Sequence, residues 1–112
     1  MPEREERLER LHLPSEPVAA DPGRGAEFFR MHCAVCHGPA ARGTEQGPPL
    51  VHDLYRPGRH ADLAFHRAVS TGTKQHHWKF GDMPAMPQIE PAAVEHIIAF
   101  IRREQRRAGV IE

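Results

Sequence analysis

The sequence predicts an all-α fold in which short helices are separated by long loops that enclose an internal group. Helix boundaries carry the first half of that prediction. Asp21-Pro22, Ala61 and Glu90-Pro91 each open a stretch with apolar residues at helical spacing, and Gly38, Gly72 and Gly109 stand where those stretches end. No stretch reads as a convincing strand. The loops carry the second half. Residues 38–60 and 73–89 are irregular, the first of them dense in glycine and proline, and loops of that length in a compact domain usually serve a function or wrap a ligand.

Each element has its own justification. Residues 1–20 are charged and punctuated by Pro2, Pro14 and Pro17. Glu3–Arg10 can form a short amphipathic helix carrying Leu8 and Leu11, but a frayed, solvated extension is the simpler expectation. The domain proper is expected over residues 21–112. Asp21 suits an N-cap and Pro22 the first helical position, so one helix is predicted through Phe28 and Phe29 into Cys33, ending at Gly38. Ala61–Thr71 follows, with Leu63, Phe65, Ala68 and Val69 as its apolar positions. The last helix starts at Pro91 and runs to about Arg107, with Val94, Ile97, Ile98 and Ile101 at helical spacing and Phe100 beside them.

Composition narrows the class. The chain has 112 residues, enough for one domain. Its apolar share of 39% is below the roughly 45–50% usual for globular domains. So lean a core benefits from a non-polypeptide element. A formal net charge of zero argues against nucleic-acid binding. No apolar run approaches the ~18 residues of a membrane span.

The chemistry is concentrated in Cys33-Ala34-Val35-Cys36-His37, which contains both cysteines of the chain. C-x-x-C-H is the attachment signature of a c-type haem. Two thiols three positions apart can each add to one haem vinyl group, and the adjacent imidazole reaches the iron as proximal ligand. A thioredoxin-like dithiol would need a βαβ context, and a structural zinc site would need paired ligand units. Neither pattern stands out. The motif therefore predicts one haem c, bound through Cys33 and Cys36, with His37 on the iron.

Around that motif, residues 23–108 resemble the bacterial class I monohaem c-type cytochromes of the cytochrome c family. Gly25 and Phe29 resemble the glycine and aromatic pair of that family's first helix, which pack against an aromatic of the last helix, here Phe100. The resemblance implies a cytochrome c-like fold: N- and C-terminal helices packed together, with one or more short helices and long loops around the haem. Gly47-Pro48-Pro49-Leu50 resembles the family's G-P-x-L segment. That implies Pro48, or Pro49 if the register slips, as the carbonyl that accepts the His37 Nδ1 proton, and Leu50 as a haem-packing residue. Met83-Pro84, shortly before the last helix, resembles the distal-ligand segment, which implies Met83 as second iron ligand with Met86 as the alternative. Trp78 and Lys79 resemble residues that hold haem propionates. Arg56 and Arg59 can do the same through guanidinium–carboxylate pairing, or simply face solvent, and Tyr55 is a further donor. His76 and His77 leave bis-histidine ligation or a second metal such as copper open.

His/Met ligation would fill both axial positions and imply electron transfer in place of bond chemistry, so the chain is expected not to be an enzyme. The alternative is a cytochrome c domain of a larger haem enzyme, or a redox or gas sensor with a labile sixth ligand. Partners would be redox proteins, met transiently and weakly at the exposed haem edge by a monomer. Lys74, Lys79, Arg56 and Arg59 would form a basic rim, while Arg102, Arg103, Arg106 and Arg107 read as a solvated helix face. Haem attachment to this motif implies the periplasm or the outer face of a bacterial cytoplasmic membrane. Residues 1–20 lack the apolar stretch of a signal peptide, so a signal or anchor is expected upstream of this chain, and membrane contact only through it.

Overall fold

A computed structural model describes residues 2–75 and 78–112. His76 and His77 lie outside the described residues. The helices are α1 (Pro2–Arg10), α2 (Pro22–His32), α3 (Ala34–His37), α4 (Asp62–Thr71) and α5 (Pro91–Arg107), with a 3-10 turn at Asp53–Tyr55. There is no strand among the described residues, only isolated bridges at Thr44–Gly47 and Thr73–Met83. The chain is all-α, with the first domain helix packed on the last.

The start of α2 follows from its sequence. The Asp21 side chain accepts a hydrogen bond from the Gly23 N–H at 2.9 Å, satisfying one of the helix's free donors, and Pro22 occupies the first turn. The Asp21 N–H donates to His96 Nδ1 at 2.8 Å, which ties this helix start to α5. α2 then crosses α5 at Gly25. A Cβ there would lie 1.8 Å from the His96 carbonyl oxygen and 2.9 Å from Phe100 Cβ, so only glycine permits this approach. Phe29 and Phe100 meet one turn further on, with ring centroids 5.2 Å apart at 46°. Val94, Ile97, Ile98 and Ile101 of α5 complete a buried core with Phe65 and Val69 of α4.

The structure departs from the expected elements in specific ways. The single helix expected from Asp21 to Gly38 is broken at Cys33, whose backbone sits at φ −120° and ψ −29°. The turn that follows is pulled toward the next loop: Gly43 N–H donates to His37 O at 2.7 Å, and Thr44 Oγ1 donates to Cys36 O. That tertiary pull is invisible to local propensity. Leu63, expected on the buried face of α4, is 39% exposed. It is two residues from Phe65, which places it round the helix from the core face, and His66 is buried in α4 instead.

Residues 1–20 also differ from a frayed extension. α1 forms, and the chain turns back so that His12 Nε2–H donates to Ile89 O at 2.6 Å. The His12 and His66 rings lie 6.5 Å apart. Among the described residues, no helix is long and apolar enough to cross a membrane.

Candidate haem site

α2, α3, α4, α5 and the two long loops surround a cavity. Its walls are mostly apolar: Leu50, Phe65, Val69, Val94, Ile97 and Ile101 supply much of them. Cys33 and His37 open onto it from the broken helix, and Met83 opens onto it from the 73–89 loop.

Local structure sets up each of these groups. The break at Cys33 leaves its thiol buried, and that burial, with Cys36 as a lesser cause, pushes it up to about 12. His37 Nδ1–H donates to Pro48 O at 2.8 Å. A carbonyl only accepts, so this bond places the proton on Nδ1 and leaves Nε2 for a metal. Burial lowers the His37 pKa, against the opposing effect of the Pro48 bond, and so favours the neutral imidazole that a metal needs. Pro48 and Leu50 both line the cavity.

Met83 is held through its backbone on both sides. Its N–H donates to Thr73 O at 2.7 Å, and its O accepts from Thr73 N–H at 3.0 Å. Gly72 makes this possible: its φ is +78°, and a Cβ would lie 2.5 Å from Met83 O. Met86 is placed differently. Its N–H donates to Val69 O at 2.6 Å, its side chain packs against the core, and it is not part of the cavity lining.

The polar residues sort into two groups. Trp78 Nε1–H donates to the Tyr55 hydroxyl at 3.0 Å, and both rings line the cavity. Burial raises the Tyr55 pKa, and the Trp78 bond opposes it. Lys74 and Gln75 also reach the lining. Arg56 and Arg59 do not. Each engages Asp53 at 3.1 Å, with side chains 46% and 50% exposed respectively. Lys79 is likewise exposed and outside the lining. The structure therefore brings Trp78 and Tyr55 to the cavity, and leaves Arg56, Arg59 and Lys79 at the surface.

Sequence reasoning missed His60, whose ring lines the cavity between Tyr55 and Phe65 at centroid distances of 5.1 and 4.4 Å. It also misplaced Arg102, which is 7% exposed and not on a solvated face. A signal existed for Arg102 and for its neighbour Gln105: they follow Ile98 and Ile101 by four residues, so they extend the apolar stripe of α5. Among the described residues, no group of three or more His, Cys, Asp or Glu side chains could hold a metal ion.

An apolar cavity lined by the Cys33 thiol and a pre-oriented imidazole, with Cys36 on the same short turn as His37, fits a covalently attached haem. The Cytochrome c family model matches residues 23–104, most of the chain. The chain belongs to the cytochrome c family, and its cofactor is haem c, attached through Cys33 and Cys36. No solved structure matches it.

Proposed function

We propose that this chain is a one-electron carrier whose iron is held between His37 and Met83. The observation that carries this reading is that Met83 faces the same cavity as His37, while Met86 packs away from it. Bound haem supplies the one-electron couple. The chain's residues do the rest. Pro48 keeps His37 in one tautomer and one orientation. The Thr73–Met83 bridge fixes the Met83 backbone at the cavity, and a thioether ligand from there would favour the ferrous state. Leu50, Phe65, Val94 and Ile97 keep water from the buried face, which favours the reduced state further. Trp78 and Tyr55 form a polar end suited to the propionates.

His37 and Met83 together would leave the iron no open position for a substrate, which supports a carrier over an enzyme. Partners are redox proteins that dock transiently over less than about 1,200 Å². The protein works as a monomer in the periplasm or on the outer face of a bacterial cytoplasmic membrane. The test is spectroscopic. Met83→Ala abolishes the far-red sulfur-to-iron band of the ferric protein, and Met86→Ala keeps it. Loss of the band only in Met86→Ala transfers the ligand role to Met86. A wild type without the band, or one that binds carbon monoxide when reduced, overturns the closed-haem reading in favour of an enzyme or sensor.

A further inference from the structure

We propose that Arg102 is a positioning residue for the haem: its guanidinium fixes residues 50–62 as one wall of the cavity and thereby sets the potential at which the cofactor takes up an electron. The proposal deepens the electron-carrier reading and rests on it. The sequence places Arg102 in a basic run, but its side chain turns inward and all three of its nitrogens donate. Nη1–H donates to Tyr55 O at 2.6 Å and to Gln105 Oε1 at 2.9 Å. Nη2–H donates to His60 O at 2.7 Å and to Asp62 Oδ1 at 2.9 Å, and Nε–H reaches the same carboxylate at 3.2 Å. The guanidinium carbon lies 5.0 Å from the centroid of the Phe65 ring.

Gln105 extends the same grip. It is 0% exposed, and its Nε2 donates to Leu50 O at 3.0 Å and to Tyr55 O at 2.9 Å. Every backbone carbonyl held by this pair therefore belongs to Leu50, Tyr55 or His60, and all three residues line the haem cavity. The 50–62 segment has one short 3-10 turn and no strand pairing to hold it. Its carbonyls would otherwise face the core without partners, a costly state for buried polar groups. The planar fork of arginine suits acceptors spread around its edge. A lysine carries the same charge on one nitrogen and cannot span them.

The wall matters for the potential because water at the haem favours the ferric charge, whereas burial favours the ferrous form. Loosening the wall lowers the potential. A role confined to stability would lower only the melting temperature.

The experiment compares haem-loaded wild type with Arg102→Lys, Arg102→Met and Asp62→Ala. It reads the midpoint potential by spectroelectrochemical titration, with haem content and melting temperature alongside. The Asp62 side chain is 61% exposed, so its removal loosens the guanidinium without opening the core. The expected result is a lower potential in both Arg102 variants and a smaller drop in Asp62→Ala. Folded, haem-loaded variants that titrate at the wild-type potential overturn the proposal. So does restoration of the wild-type potential by Arg102→Lys alone, which would assign the effect to charge and not to position. If neither Arg102 variant takes up haem, Asp62→Ala decides: a drop supports the proposal and an unchanged potential overturns it. A wild type with no reversible one-electron couple would count against the electron-carrier reading itself.

Discussion

The two loops that close over the haem site are held by different means. The 38–60 loop is anchored from the core. Arg102 and Gln105 hold its carbonyls, Pro48 accepts from His37, and Gly47 packs so closely under Cys36 that a Cβ would lie 2.8 Å from the Cys36 carbonyl oxygen. The 73–89 loop is anchored largely by backbone hydrogen bonds at its margins, from Met83 to Thr73 and from Met86 to Val69. Its tip is tied by exposed contacts, such as Gln75 N–H to Asp82 Oδ1 at 2.8 Å, and Phe80 there is 37% exposed. Segments with few buried contacts open at lower free energy than the core. The histidine side of the site is therefore built for permanence, and the methionine side is the part that opens first.

The largest expected effect removes the permanence altogether. Cys33→Ser with Cys36→Ser leaves no thioether, so haem is extracted by acidified organic solvent instead of staying with the chain, and a pyridine haemochrome assay reads the loss. Next comes the helix crossing that both loops depend on. Gly25→Val pushes a side chain into the His96 carbonyl, and overpacking of this kind costs roughly 1–3 kcal/mol or more. Denaturant melts should show it with the far-red band and the helical signal lost together.

Gly72→Ala sharpens the contrast. It forces a Cβ onto a φ of +78° and against Met83 O. A cost of about 1–2 kcal/mol is expected, because alanine at a positive φ destabilises instead of stabilising. It should fall on the methionine side alone, so the far-red band disappears at lower denaturant than the helical signal. Coincident loss of both would dissolve the distinction between the loops.

The smallest effect lies where the two loops touch. Trp78→Phe removes the donor to Tyr55 and costs about 1 kcal/mol. That bond opposes the upward push of burial on Tyr55, so the variant should ionise at still higher pH in an ultraviolet titration. The sign for stability follows. A folded-state pKa raised above the ordinary 10.0 contributes stability below that pH, and the contribution is lost as pH rises through the folded value. Unfolding free energy should therefore decline with pH from about 10 in both proteins, and the decline should continue to a higher pH in Trp78→Phe.

Much of the site was legible because its signals are local. Cys33, Cys36 and His37 lie within one turn, and Asp21-Pro22 and Glu90-Pro91 mark helix starts with chemistry that acts over a few residues. The placement of arginines was not legible. Arg56, Arg59 and Arg102 look alike in the chain, yet the first two pair with Asp53 near the surface and the third is buried under the haem wall. His60 and Met83 likewise reach the cavity through loops whose course no local propensity dictates.

By itself, then, the sequence determined the all-α class and the covalent haem, because helix caps and the C-x-x-C-H turn act through contacts between near neighbours. The tertiary structure alone decided which arginine is buried, which methionine faces the cavity and how each loop is held. Those outcomes depend on groups that are distant in sequence, such as Arg102 and Tyr55 or Gly72 and Met83, and such groups meet only once α2 and α5 have closed on Gly25.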